Sequence, residues 1–175
     1  MYLDVAVVLL AVLGLVNLAL VLAVIRSLRR QTAAPPQFGP PRLPVGQKVP
    51  QFSAVTTAGE ERALADLLGS RSLMGFFSPT CAPCHAQAAE FTRLAKTLPG
   101  GTRQALAVIV GDQDQAADLA PGLAEAASVV IEPRRGPVTS AFSNTGFPTF
   151  YLIGPDGRIE ASGASVRMVA DAVPA

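Results

Sequence analysis

An apolar run leads directly into the only two cysteines of the chain in the stretch Leu73-Met74-Gly75-Phe76-Phe77-Ser78-Pro79-Thr80-Cys81-Ala82-Pro83-Cys84-His85. The apolar run is typical of a buried strand. If a helix begins at Cys81, the two cysteine side chains lie one turn apart on the same helix face, within reach of disulfide geometry. We therefore predict a redox pair that can open and close.

The start of this helix gives the two thiols different roles. Unpaired backbone N–H groups and the positive end of the helix dipole favour the thiolate at Cys81, which we predict to be the nucleophile. Cys84 would then resolve the mixed disulfide that Cys81 forms with a partner. That step leaves the partner reduced and the cysteine pair oxidised.

The same spacing also occurs in other kinds of site. Structural zinc needs four ligands, and His85 is the only histidine of the chain. Cys81, Cys84 and His85 match the attachment motif for c-type haem, with Met168 as a candidate axial ligand, but a haem domain would be mostly helical. Two cysteines that only pack as small hydrophobic residues would not explain the adjacent proline and histidine.

Residues 5–25 form an apolar run of 21 residues without a charge. This run is long enough to span a hydrocarbon core of about 30 Å. A cleavable signal peptide is the alternative, but no basic residue precedes the run, and the run exceeds the usual length of a signal. We predict one N-terminal transmembrane helix that contacts lipid through residues 5–25, and hence a single-pass protein of the cell membrane.

The charges give no indication of a nucleic-acid partner, because 14 basic and 13 acidic side chains leave a net charge of only +1. The one local basic cluster, Arg26, Arg29 and Arg30, follows the apolar run. By the positive-inside rule it places the rest of the chain in the cytoplasm. Redox cysteine pairs work on either face of a membrane, so these charges leave the side open.

Proline marks the boundary between the anchor and the folded part. Six prolines between residues 31 and 50 favour an extended, semi-rigid chain: Pro35, Pro36, Pro40, Pro41, Pro44 and Pro50. We predict an anchor with a basic flank at residues 1–30, a proline-rich stalk at 31–44, and a redox domain at 45–175.

Short apolar runs in the redox domain predict four strands buried on both faces of a sheet, at residues 73–77, 105–110, 128–131 and 149–153. Helices are predicted between and after them, around 91–98, at 113–123 with an early end at Pro121-Gly122, around 138–142 and at 164–173. The turn at 154–157 predicts an antiparallel hairpin into 158–161. Together these elements predict an α/β domain with a central mixed sheet flanked by helices.

A proline also stands at the mouth of the strand at 149–153, in Gly146-Phe147-Pro148-Thr149. Such a proline marks a strand start or a special turn, because it cannot donate a ladder hydrogen bond. An apolar strand, Cys-x-Pro-Cys at a helix start and this turn before a hairpin together resemble the thioredoxin fold. The anchor, the stalk and the segments 45–52, 57–60 and 64–69 resemble more narrowly the membrane-tethered TlpA-like branch.

This resemblance covers essentially the whole chain and implies a thiol-disulfide oxidoreductase without a cofactor or metal. Its expected partners are protein thiols and disulfides and an upstream thiol-disulfide electron donor or acceptor. Pro148 is expected to be cis and to lie against the cysteines, with the Phe147 backbone binding an extended substrate segment. Thr80 occupies the place of the tryptophan that thioredoxins carry before the first cysteine, and is a further candidate substrate contact. Tethered relatives commonly face outward, which favours an extracytoplasmic redox domain.

The chain departs from the family pattern in how it handles protons. Gly75 replaces the buried acid of thioredoxins, and Gln87 replaces a glutamate found in some tethered relatives. Water, Glu90 and His85 remain candidate proton acceptors for Cys84. His85 and Pro83 are candidates for tuning the pKa of the pair, since an imidazolium would stabilise the thiolate but would oppose the helix dipole.

A second enzyme class remains open. Ser78-Pro79-Thr80-Cys81 is similar to the Thr/Ser-x-x-Cys turn of peroxiredoxins, although Met74 stands where that motif has proline. A thiol peroxidase is therefore an alternative to the oxidoreductase, as is the c-type haem electron carrier.

Overall fold

The computed structural model describes residues 42–172, together with residues 13, 14, 17 and 18, which are helical and belong to a separate unit. The described domain begins with a small antiparallel hairpin of β1 (Ser53–Val55) and β2 (Glu61–Ala63). A 3₁₀ helix at Leu64–Leu67 follows and leads into the main sheet.

The main sheet has five strands in the order β5-β4-β3-β6-β7. Strands β3, β4 and β5 are parallel, whereas β6 and β7 run antiparallel to their neighbours. Their bounds are Ser72–Phe77 for β3, Ala105–Val110 for β4, Ser128–Glu132 for β5, Thr149–Ile153 for β6 and Ile159–Gly163 for β7. The central strands are buried on both faces, as their uninterrupted apolar sequences predict.

In the described residues 42–172, five α-helices flank the sheet. The first of them, α1, is the longest and follows β3. Cys84 lies in this helix, and Cys81 immediately precedes it. The helices are α1 (Ala82–Thr97), α2 (Gln113–Ala116), α3 (Ala120–Ala124), α4 (Pro137–Ala141) and α5 (Val166–Ala170), with a 3₁₀ helix at Gly101–Gln104. The predicted α/β domain with a mixed sheet between helices is confirmed.

The single helix predicted at 113–123 is wrong, because the chain there forms two short helices, α2 and α3. Pro121 lies in the first turn of α3. A proline is favoured there because the first N–H groups of a helix have no partner within the helix. Pro121 therefore starts a helix rather than ending one.

The core lies in two layers, one on each face of the sheet. On the side of α1, Phe77 packs edge to face against both Phe91 and Phe150, with the ring centroids of Phe77 and Phe91 5.3 Å apart. Phe76, Phe142 and Tyr151 pack together on the other side. The first layer packs Phe91 of α1 against Phe77 at the end of β3.

The N-terminal predictions fall mostly on residues that the structure does not describe. Leu43, near the end of the predicted stalk, is buried, and its N–H donates to the Tyr151 hydroxyl at 3.4 Å. Among the described residues, no helix combines the length and apolar character needed to cross a membrane. Apart from residues 13, 14, 17 and 18, the predicted span at 5–25 lies outside that part of the chain.

Candidate active site

Cys81 is the N-cap of α1, and Cys84 lies in the first turn of this helix. The helix thus begins at Ala82, one residue later than expected. Pro83 is exposed in the same turn, where a backbone N–H would have no intrahelical partner. The end of β3 and the start of α1 therefore place both sulfurs at one edge of the sheet.

The two cysteines differ in exposure. Both are free thiols, but Cys81 is partly exposed whereas Cys84 is completely buried. The N–H of Ser78 donates to the Cys84 sulfur at 3.4 Å. Only Cys81 can therefore be approached from outside.

The pKa of the Cys84 thiol is raised from its ordinary value of 9.0 to about 12, and burial is the largest cause. The hydrogen bond with Cys81 and the charge of Cys81 contribute to this rise, while the N–H of Ser78 opposes it. Cys84 therefore stays protonated at neutral pH and needs a proton acceptor before it can react.

The packing around Gly75 explains why this position, which carries a buried acid in thioredoxins, has no acid here. A Cβ atom at Gly75 would lie 2.7 Å from the ring of Phe91 and 2.8 Å from the ring of Phe77. No side chain fits between these rings without displacing them. The aromatic core thus excludes a carboxylate at this position. Cys84 belongs to the same apolar cluster as Phe77 and Phe91, and its burial there raises its pKa.

The turn before β6 comes to the cysteines from far along the chain. The Phe147–Pro148 peptide bond is cis, as the resemblance implies. The S–H of Cys81 points to the carbonyl oxygen of Phe147 at 3.6 Å. Pro148 is buried and Phe147 half-buried. The exposed sulfur therefore lies directly beside the backbone of this turn.

Two other candidate residues lie around the loop that precedes Cys81. Thr80 is exposed, and its hydroxyl oxygen lies 3.4 Å from that of Ser78. Nε2 of His85 lies 2.8 Å from the carbonyl oxygen of Pro79, so this nitrogen carries the proton and donates. Within the described residues, the His85 ring has no hydrogen bond to either sulfur. Its contact fixes the loop in front of Cys81.

Gln87 and Glu90 are held by the last helix. Oε1 of Gln87 accepts the N–H of Val166 at 2.9 Å, at the start of α5. Glu90 pairs with Arg167 at 3.4 Å. Neither side chain has a hydrogen bond with a cysteine in the described part of the chain.

Sequence reasoning missed a pocket of about 240 Å³ that borders the same turn. It is lined by Arg134, Arg135, Asn144, Thr145 and Phe147. The adjacent arginines directly after a strand were a visible signal, but nothing local indicated that they would face the cis-proline turn. In residues 42–172, no group of three or more histidine, cysteine, aspartate or glutamate side chains could hold a metal ion.

Comparison with known proteins gives the family and the fold. The chain belongs to the AhpC/TSA family, whose model matches residues 45–162. No curated protein sequence matches the chain. Together with the two free thiols, Cys81 and Cys84, the family makes the protein a thiol-based redox enzyme.

Solved structures with the same fold come from several bacteria. A Chlorobium tepidum protein assigned as the thiol:disulfide interchange protein DsbE is 25% identical, with a TM-score of 0.54 over 69% of this chain and 84% of that one. The thioredoxin domain of a Bacteroides vulgatus thiol-disulfide oxidoreductase is 16% identical, with a TM-score of 0.61 over 74% and 94%. A thioredoxin family protein from Chlorobium tepidum is 21% identical, with a TM-score of 0.60 over 75% and 96%. The described domain therefore has the thioredoxin fold.

Proposed function

We propose that this protein is a membrane-anchored, TlpA-like thiol-disulfide oxidoreductase that exchanges disulfides with protein substrates through Cys81 and Cys84. One observation carries the proposal. A partly exposed sulfur at the N-cap of α1 lies beside the Phe147 carbonyl, with a second, completely buried sulfur one helical turn away. This asymmetry suits one thiol to attack a partner and the other to release it.

In the reducing direction, the Cys81 thiolate attacks one sulfur of a substrate disulfide. The Cys81–substrate bond forms, the substrate disulfide breaks, and one substrate thiolate leaves. Cys84 then loses its proton and attacks the Cys81 sulfur, which releases the second substrate thiolate. Two protons and two electrons pass to the substrate, which becomes a dithiol, and the enzyme pair becomes a disulfide. An upstream dithiol restores the pair by the reverse exchange.

The high pKa of Cys84 delays the second step. Two of its causes, the hydrogen bond and the charge of Cys81, disappear once Cys81 is bound to substrate, whereas burial remains. The thiol therefore becomes easier to deprotonate only after the mixed disulfide has formed. Water takes this proton, and the departing substrate thiolates take up protons in turn. Because Cys84 is deprotonated more easily after the first step than before it, the site favours this order of steps.

The substrate segment lies, in this proposal, along the turn that contains Phe147 and Pro148. Pro148 has no N–H and so donates no hydrogen bond here. The backbone of Phe147 forms the hydrogen bonds with the extended peptide beside Cys81. Exposed Thr80, in the loop directly before Cys81, also contacts the segment. No cofactor takes part in this exchange.

We also propose that residues 5–25 anchor the protein in the cell membrane and that the redox domain faces the extracytoplasmic side. The uncharged run and the resemblance to tethered relatives support this arrangement, while Arg26, Arg29 and Arg30 favour the opposite side. In intact cells, a membrane-impermeant thiol reagent should label Cys81. Labelling that appears only after the membrane is permeabilised would place the domain inside.

The alternatives have separate tests. Membership of the AhpC/TSA family and the Ser78–Cys81 turn favour a thiol peroxidase as the second candidate. Rapid consumption of hydrogen peroxide by the reduced protein would support that class. The haem carrier fits poorly, because completely buried Cys84 has no exposed sulfur for a thioether bond to haem.

Reduction of insulin or of a peptide disulfide tests the main proposal. The wild type should reduce either substrate when it is supplied with dithiothreitol, and Cys81→Ser should fall to the rate of dithiothreitol alone. Undiminished turnover by Cys81→Ser would overturn the assignment of Cys81 as nucleophile.

A further inference from the structure

We propose that the pocket lined by Arg134, Arg135, Asn144, Thr145 and Phe147, here called the arginine pocket, binds an acidic side chain next to the reactive cysteine of the protein substrate. This inference rests on the proposed exchange reaction. It adds a substrate preference that the cysteine pair alone does not give.

The position of the arginine pocket relative to the reacting sulfur is set by Phe147. This residue lines the pocket, and its carbonyl oxygen lies 3.6 Å from the Cys81 sulfur. An extended peptide advances about 3.3 Å per residue. A substrate cysteine that reacts with Cys81 therefore places a residue one or two positions away at the pocket.

The volume of the pocket suits a side chain rather than a separate molecule. Its 240 Å³ is below the roughly 300–1,000 Å³ of typical small-molecule sites. Because Phe147 lines the pocket and also contacts the Cys81 sulfur, a segment of polypeptide bound at Cys81 can insert one side chain into it.

The charge of the pocket selects the chemistry of that side chain. Arg134 and Arg135 are exposed, and neither has an ion-pair partner within residues 42–172. The carboxylate of Glu132, two residues before Arg134, instead accepts the N–H groups of Val138 and Thr139 at 3.1 and 2.5 Å. The guanidinium groups are thus available, and their planar array of donors matches a carboxylate.

Asn144 gives a second, independent indication of a ligand. It is only 5% exposed and lines the pocket, and its Nδ2 donates to the Gly146 carbonyl at 3.1 Å. Its Oδ1 is buried and accepts no hydrogen bond in the described part of the chain. Buried acceptors are almost always paired, so a bound segment that brings an N–H donor to Oδ1 would complete the site.

The test uses three peptide disulfides that differ only beside the cysteines, with glutamate, glutamine or lysine within two residues on both sides. Each kcat/KM is divided by the rate at which dithiothreitol reduces the same peptide, which removes intrinsic differences in disulfide reactivity. At low salt, the corrected value for the glutamate peptide should exceed that for the lysine peptide by about five- to thirtyfold, which corresponds to about 1–2 kcal/mol. The ratio should fall as salt is added.

Two double variants locate the preference. Arg134→Gln/Arg135→Gln should bring the glutamate-to-lysine ratio close to one. Arg93→Gln/Lys96→Gln removes the same charge from exposed positions on α1, outside the pocket, and should keep the wild-type ratio. The inference would be overturned if Arg134→Gln/Arg135→Gln kept the glutamate-to-lysine ratio of the wild type. It would also be overturned if both double variants lost the ratio equally.

The same assay separates this inference from the proposed function. If the wild type reduces the glutamine peptide through Cys81 but does not distinguish glutamate from lysine, the oxidoreductase stands and the acidic preference is wrong. If the wild type reduces none of the three peptides, the proposed exchange reaction fails and the inference fails with it.

Discussion

The sulfur of Cys81 lies 3.6 Å from the carbonyl oxygen of Phe147, although 66 positions separate the two residues. The pairing of β3 with β6 makes this contact, because Phe76 at the end of β3 lies opposite Thr149 at the start of β6. The helix that presents the sulfur and the turn that contacts it are therefore fixed by one pair of strands. In the proposed reaction, this register determines where a substrate segment lies.

The raised pKa of Cys84 predicts a loss of stability in alkali. Because the pKa rises from 9.0 to about 12 on folding, the folded protein holds its proton more tightly, and the stabilisation present below pH 9 declines as the pH rises towards 12. The slope is at most about 1.4 kcal/mol per pH unit. Denaturant unfolding of the reduced wild type and of Cys84→Ala at pH 7, 9 and 10 would measure it.

Other groups titrate in this range, so the relevant quantity is the difference in unfolding free energy between the two proteins. We expect this difference to be constant between pH 7 and about 8 and to shrink by roughly 1 kcal/mol from pH 9 to 10. A difference that stays the same up to pH 10 would show that Cys84 is not held protonated by burial.

Gly75 is predicted to tolerate no side chain. Gly75→Ala would force a Cβ atom against the rings of Phe77 and Phe91 at 2.8 and 2.7 Å, and overpacking of this kind costs about 1–3 kcal/mol. Gly122→Ala is the matched control, because a Cβ there meets nothing within 4 Å and alanine is favoured in the helix α3. Thermal unfolding should show Gly75→Ala less stable than the wild type and Gly122→Ala at least as stable.

Glu132 is predicted to be structural although it carries a charge. Its buried carboxylate accepts the N–H groups of Val138 and Thr139 and the Thr139 hydroxyl, at the start of α4. Glu132→Ala should lower the free energy of unfolding by about 1–3 kcal/mol, since these donors would be left without a partner. Glu125→Ala is the control, because it removes an exposed carboxylate that pairs with Lys96. This variant should change the free energy of unfolding by less than about 1 kcal/mol. Equal effects in the two variants would contradict this role.

Local sequence patterns predicted the frame of the domain well, because the strands of its main sheet are continuous apolar runs and its longest helix has clear spacing and a clear end. The β1–β2 hairpin was not predicted, since strands of three residues carry too little periodicity. Pro121 was interpreted as a helix end although it stands in a first turn, and a proline is compatible with both positions.

The site depended more on tertiary contacts. The cysteine spacing indicated the chemistry, and the resemblance supplied the turn at Phe147 and Pro148. The sequence could not explain Gly75, because the rings that exclude a side chain come partly from another element. Nor could it reveal the arginine pocket, since Arg134 and Asn144 meet Phe147 only after the loops at this edge of the sheet have folded.

Trapping of the mixed disulfide tests the central assignment most directly. Cys84→Ser should accumulate a covalent adduct with a substrate disulfide through Cys81, seen as a mass increase that dithiothreitol removes, and Cys81→Ser should form none. An adduct that forms through Cys84 in Cys81→Ser, or no adduct in Cys84→Ser, would contradict the proposed roles of the two sulfurs.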